Sequence, residues 1–194
     1  MSEVARTYFI AMALEQLQGQ PDLQRVLGKI KRTLKEKDKV FEAVPARLWH
    51  LTLEYLGPLS AAELALAKDS LKNWQPPVSE LDLELQGGGA FPDPLSARVL
   101  WLGVPRAKPL IDLRHSLREH LVSQGVRRLE DREYVPHLTL FKFRNAQSVT
   151  ELLGLLGRRR YGMVKTTSIT LFASFIAGGL RRYEPVLACP LRKI

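Results

Sequence analysis

The chain switches repeatedly between two hydrophobic periods, and each switch marks an element. Residues 6–12 are aromatic and apolar with β-favouring side chains, which predicts a strand. Across 21–38 the spacing becomes helical: Leu23, Val26, Leu27, Ile30 and Leu34 share one face, and Pro21 suits the first turn. Residues 47–56 alternate and predict a second strand. Ser60 then precedes Glu63 in the arrangement of a capping box, and Leu64, Ala67 and Leu71 line a helix over 60–74 that Pro76-Pro77 stops. Strict alternation over 81–85 predicts a half-buried strand, after which Gly87-Gly88-Gly89 and Pro92-Asp93-Pro94 read as loop punctuation. A strand over 99–104 follows, then a helix over 109–124 with Leu110, Leu113, Leu117 and Leu121 on one face and Gly125 as its stop. The remainder reads as a strand over 134–143, a short helix over 148–156, one long strand over 164–176, a Gly178-Gly179 turn and a last strand near 183–188.

Both halves therefore run strand, helix, strand, helix, strand, and the second adds a terminal strand. The repeat predicts an α+β fold, a single domain over 1–194 made of two lobes related by a pseudo-two-fold. The lobes fall at roughly 1–90 and 91–194, with strand exchange between them left open. Two antiparallel sheets are expected to face a central groove, with helices on the outside.

The repeat reaches the residues themselves. Positions 50–57 read HLTLEYLG and positions 137–144 read HLTLFKFR, so two of the four histidines head the same tetrapeptide, once in each half. A strand alternates its side chains between faces. His50 and Thr52 therefore share one face and Leu51 and Leu53 the other, and His137, Thr139, Leu138 and Leu140 repeat the division. A pseudo-two-fold would bring both His–Thr pairs to one groove. Two imidazoles that titrate near neutrality can act as base and acid on either side of one phosphorus, and threonine hydroxyls can donate to phosphate oxygens. Such a site needs no metal. One HxT carries little weight, but average residue usage puts LTL after a given His on the order of once in a thousand. The competing reading is a duplication that retained two structural histidines.

Composition narrows the class of partner. The 194 residues are 45% apolar and 25% charged, as in ordinary globular proteins. The longest apolar run, 8–14, is too short to span a bilayer and makes a poor signal-peptide core. The single Cys189 leaves no intrachain disulfide and no zinc cluster, so a reducing, cytoplasmic setting is expected. A net charge of +9 points to a polyanion, with solvated helix faces as the competing explanation. His115 and His120 lie 140° apart around their predicted helix, too far for an i, i+4 metal pair, and read as surface residues. Arg127, Arg128 and Arg132, and the run 158–160, would either follow the backbone of such a polyanion or sit in solvated loops. Phe91 would face a base or anchor its loop, the anchor being favoured. The three glycines at 87–89 match no phosphate-binding loop.

The two HLTL blocks, together with RTYFIAM, GGGAFPDPLSARVLWLGV, YVPHLTLFKFR and LFASFIAGGLRRYEPV, resemble the 2H phosphoesterases over nearly the whole chain. Within them the likeness is to the RNA 2′,3′-cyclic phosphodiesterase branch, also called LigT-like or 2′-5′ RNA ligase. The resemblance implies a bilobal α+β fold and hydrolysis of an RNA terminal 2′,3′-cyclic phosphate to a 2′-phosphate. It also implies His50 as general acid and His137 as general base, with Thr52 and Thr139 on the phosphate; the acid and base assignment stays open, since the reverse reaction swaps the roles. A slot usually filled by a nucleobase-stacking aromatic holds Tyr55, and one usually filled by a phosphate-binding Arg holds Lys142, which keeps the charge and loses the fork. Strict alternation argues against both, since positions five apart face opposite ways unless the strand ends or bulges. By alternation Tyr55 belongs in the core. No cofactor or metal is implied, the partners are RNA 3′ ends or nucleoside 2′,3′-cyclic phosphates, no membrane is involved, and a monomer is expected. Two further readings remain: a non-catalytic nucleotide or RNA-end binding module, and a 2′-5′ RNA ligase running the chemistry in reverse.

Overall fold

The structure is a computed structural model and describes residues 5–126, 129 and 133–191. Its strands are β1 (Thr7–Ala13), β2 (Phe41–Ala43), β3 (His50–Gly57), β4 (Leu81–Phe91), β5 (Ala97–Gly103), β6 (His137–Gln147), β7 (Arg160–Thr166), β8 (Ser168–Ala177) and β9 (Leu180–Pro190). Its helices are α1 (Pro21–Glu36), α2 (Ala61–Asn73), α3 (Lys108–Ser123) and α4 (Thr150–Leu156).

The nine strands form one curled antiparallel sheet in the order β7-β4-β5-β6-β3-β1-β8-β9, with β2 paired to β6. The two expected sheets are thus the halves of a continuous one, hydrogen-bonded together through β3 and β6. The order contains a reciprocal exchange. β4 follows the first HLTL strand in sequence yet pairs with β5 and β7, while β8 follows the second and pairs with β1. The helices pack as the pairs α1–α4 and α2–α3. α1 buries Leu23, Val26, Leu27, Ile30 and Leu34, the face read from the spacing. α2 begins with the expected capping box: the Ser60 hydroxyl accepts from the Glu63 N–H at 3.3 Å, and the Ser60 N–H donates to the Glu63 carboxylate at 2.8 Å.

Two expectations are corrected. The segment 164–176 is two strands, broken at Thr167, because β7 pairs with β4 and β8 crosses to β1. Both segments alternate with period two, so the pattern hides the change of partner. The triple glycine lies inside β4. A Cβ on Gly89 would come within 2.1 Å of the Trp101 ring, and one on Gly88 within 2.5 Å of Leu156. The bare backbone lets a tryptophan lie flat on the sheet on one side and α4 approach closely on the other.

Candidate active site

β3 and β6 are joined at one pair, Leu51 opposite Leu138, the second residues of the two HLTL blocks. Both leucines are fully buried on the core side. Continuing that antiparallel register sets His50 opposite Thr139 and Thr52 opposite His137, all four half-buried on the other face. Each histidine thus faces the threonine of the opposite strand, as a pseudo-two-fold through the Leu51–Leu138 pair requires.

The two rings are held alike. His50 Nδ1 lies 2.7 Å from the carbonyl of Leu48, and His137 Nδ1 lies 2.7 Å from the carbonyl of Val135. A carbonyl oxygen can only accept, so each Nδ1 carries the proton and donates it. Nε2 is then the nitrogen at which each ring gains or loses a proton. Aromatic walls fix the ring planes. Phe9 and Tyr183 stand 4.9 and 5.2 Å from the His50 ring centre, while Phe91 and Trp101 stand 4.9 and 5.9 Å from that of His137.

Burial pushes the His50 pKa down to about 4, assisted by repulsion from Lys142 and His137 and opposed by its bond to the Leu48 carbonyl. Burial also holds His137 below the ordinary value, against its bond to Val135. Both rings are therefore neutral in the free protein at pH 7, and His50 resists protonation more strongly, a property that suits a base. An anion between the rings stabilises the imidazolium and raises both values. For chemistry that needs one ring protonated, kcat/KM reports the free protein and kcat the complex. The kcat/KM profile should therefore peak below pH 6.5, with kcat peaking at higher pH; a kcat/KM optimum above pH 7 would contradict the site's electrostatics. The depressed values also cost stability in acid, because below the unfolded value of 6.5 the unfolded chain takes up protons that the folded rings refuse.

The strands carry a second shared device. Across β1–β3, Ile10 pairs with Glu54 and Ala11 with Thr52, leaving Leu53 as an extra residue. Across β5–β6, Leu100 pairs with Phe141 and Trp101 with Thr139, leaving Leu140 extra. Each HLTL block therefore ends in a bulge, which places two buried residues in succession and reverses the alternation beyond them. The expectation of Tyr55 in the core is overturned: it is 39% exposed and lines the groove. Lys142 reaches the same face by the same shift.

The groove consists of two hollows. One, of about 300 Å³, is lined by His50, Thr52, Tyr55, Thr139 and Lys142, with Phe9, Tyr183 and Arg181 among its other walls. The second, of about 590 Å³, holds His137, Phe91, Arg98, Arg114 and Tyr134. Thr52 and Tyr55 border both. Phe91, read from sequence as a loop anchor, is a groove wall against His137. The wall residues Phe9, Tyr183, Trp101, Arg114 and Tyr134 carry no signal in the sequence, because five separate segments supply them and no short motif links them. His115 is exposed as expected, but His120 is half-buried and its Nε2 lies 2.8 Å from the Ser70 carbonyl, pinning α3 to α2. The 158–160 run lines neither hollow, and Arg160 is paired with Glu84 at 2.9 Å. Arg127, Arg128 and Arg132 lie outside the described residues. Among the described residues no helix is long and apolar enough to cross a membrane.

Known proteins share this arrangement of sequence and fold. A family described as the AKAP7 2′5′ RNA ligase-like domain matches residues 6–174, a span that includes both HLTL blocks. A relative from Methanothermobacter thermautotrophicus, named RNA 2′,3′-cyclic phosphodiesterase, is 30% identical over 170 residues, 84% of this chain and 86% of its own length. The crystal structure of TT0787 from Thermus thermophilus superposes with a TM-score of 0.75 at 19% identity, covering 96% of this chain and 98% of that one. Escherichia coli LigT complexed with 3′-AMP gives 0.65 at 25% identity, covering 97% and 99%. With the match extending from β1 into β8, the chain belongs to the 2′-5′ RNA ligase-like family, the LigT-like branch of the 2H phosphoesterases.

Proposed function

We propose that the protein hydrolyses the 2′,3′-cyclic phosphate at the 3′ end of RNA, or of a nucleoside, to a 2′-phosphate, using His50 and His137 for both proton transfers. The observation that carries this reading is the pairing of two His–Thr sets across Leu51–Leu138, each ring oriented by the same carbonyl bond. The name of the M. thermautotrophicus relative and the 3′-AMP held by E. coli LigT support the same substrate class. In the reaction Thr52 and Thr139 donate to the non-bridging phosphate oxygens, and Lys142 adds charge. One imidazole Nε2 removes a proton from water as the water oxygen bonds to phosphorus. The P–O3′ bond breaks in line, and the other Nε2 donates its proton to O3′. The resemblance assigns His50 the acid role, while its greater depression in the free protein favours the base. Both rings are needed either way, because the reverse direction, 2′-5′ ligation, exchanges their parts.

Tyr55, exposed beside both hollows, offers a ring face to the terminal base. The lysine at 142 favours a second reading, a binding module of the same fold without turnover, because a lysine lacks the bidentate fork. The deciding assay uses protein treated with EDTA and a short RNA ending in a 2′,3′-cyclic phosphate, and resolves the 2′- from the 3′-phosphate. Turnover to the 2′-phosphate, undiminished by the chelator, is the expected result. Tight binding of the RNA end without turnover would establish the second reading instead.

A further inference from the structure

The groove continues past the His–Thr centre to cationic and hydroxyl groups that the hydrolysis described above leaves unused. Thr7, Ser174 and Arg181 line the same hollow as His50 and Lys142. Thr7 stands opposite Ser174 across β1–β8, and Ser174 opposite Tyr183 across β8–β9. An Arg181 guanidinium N–H donates to the Ser174 hydroxyl at 2.9 Å, so the head of that long side chain is seated on this row. The row lies four residues along β1 from Ala11, the partner of Thr52. At strand rise the backbone of that row is roughly 13 Å from that of Thr52, with the Tyr183 ring lying between it and His50 at 5.2 Å from the imidazole centre.

Among the described residues, no carboxylate forms an ion pair with the cations at this end of the groove. Lys142 and Arg181 line the same hollow, and burial, with repulsion from Arg181, holds the Lys142 pKa below its ordinary value. The carboxylate felt by Lys142 is that of Glu42, opposite it on β2, yet among the described residues neither Lys142 nor Arg181 forms an ion pair. The nearby Arg6, by contrast, is paired with Glu184 at 2.9 Å. From the threonines through Lys142 to Arg181 the groove presents a line of anion-binding groups.

We propose that Arg181, seated on Ser174 beside Thr7, holds a second phosphate of the substrate, the phosphodiester on the 5′ side of the terminal nucleotide. The groove would then select the end of an RNA chain over a lone nucleoside cyclic phosphate. This rests on the cyclic phosphodiesterase reading and adds the preferred substrate to it. A charge-assisted contact of this kind corresponds to about a tenfold preference.

Wild type, Arg181→Gln and Arg181→Lys would be compared on adenosine 2′,3′-cyclic phosphate and on a dinucleotide ending in the same group. Arg181→Gln should reduce the kcat/KM ratio of dinucleotide to mononucleotide about tenfold, mainly through KM, with Arg181→Lys restoring part of it. Equal proportional losses on both substrates, or no loss on either, would overturn the proposal. A binding arm uses adenosine 2′-monophosphate and adenosine 2′,5′-bisphosphate, titrated into the same proteins. Wild type must prefer the bisphosphate and Arg181→Gln must lose that preference; a wild type that binds the two alike also overturns it. Should neither cyclic substrate turn over, the hydrolytic reading fails while the binding arm still decides the second phosphate site.

Discussion

Replacing His50 or His137 with alanine is expected to lower kcat for RNA 2′,3′-cyclic phosphate hydrolysis by about 10³–10⁴-fold, at the upper end of what one positioned acid or base contributes. The two losses should be of similar size, since in the proposed mechanism each ring would perform one of two proton transfers in the same step. KM should change little, because in the proposed mechanism the threonines and Lys142 would still hold the phosphate. The double variant should be only slightly worse than either single one, as groups that act as a unit do not lose rate additively. Neither ring is a core residue, so both variants should melt close to wild type. Single-turnover rates with thermal melts on the same preparations check this. A His50→Ala protein that melts normally and retains more than about a tenth of wild-type kcat would leave its ring a structural part of the wall, far short of the acid–base contribution.

The second large effect concerns stability and comes from the β3 bulge. The bulge turns Glu54 inward, where it is 2% exposed. Its carboxylate lies 3.3 Å from Arg114 Nη2 and 3.1 Å from Arg118 Nη1, both on α3. Arg114 is itself buried; its Nε donates to the Leu53 carbonyl at 2.9 Å, and its guanidinium lies 4.6 Å from the Tyr134 ring centre. Tyr134 in turn donates to the Thr52 carbonyl at 3.0 Å, and burial raises its pKa. Two successive carbonyls of β3 are thereby clamped beside Thr52 and Tyr55. Glu54→Ala leaves the Arg114 guanidinium buried without a carboxylate, for a loss of about 3–5 kcal/mol. Glu54→Gln keeps the shape and a hydrogen-bond acceptor and should lose less. Denaturant unfolding of the two variants measures the difference. A Glu54→Ala loss below about 1 kcal/mol would show that water reaches Arg114 and that the clamp contributes no more than a surface pair. The matching bulge in β6 is held differently: Phe141 is fully buried with Phe41 across its edge at 5.8 Å. One backbone device is thus supported by charge in one half and by packing in the other.

The unequal supports explain what the sequence revealed and what it withheld. The doubled HLTL was visible because it is local and because period two assigns its faces directly. The α1 face and the Ser60–Glu63 cap were visible for the same reason. The bulges were hidden: an extra residue at Leu53 or Leu140 exists only relative to a partner strand, β1 or β5, and no single-strand pattern encodes a partner. Hence alternation alone places Tyr55 on the wrong face. The break at Thr167 was hidden by a change of neighbour within a constant period, and the three residues of β2 were too few to show any period. The glycines at 87–89 look like a loop until Trp101 and Leu156 are placed against them. Arg181 and Ser174 meet only because the hairpin turned at Gly178 and Gly179, both with positive φ, folds β9 back on β8.

The reciprocal exchange of β4 and β8 has a consequence for motion. If each half of the chain kept its own strands, the halves could swing about β3 and β6 like jaws, and the gap between the histidines would vary with the joint. Here β8 has crossed over, so the chain passes from β7 in one half-sheet to β8 in the other through the single residue Thr167, which ties the two together away from the Leu51–Leu138 seam as well. The reach between the two imidazoles is therefore fixed by backbone geometry before any ligand arrives. A groove of set span would favour groups that already fit it over those that need it to close around them.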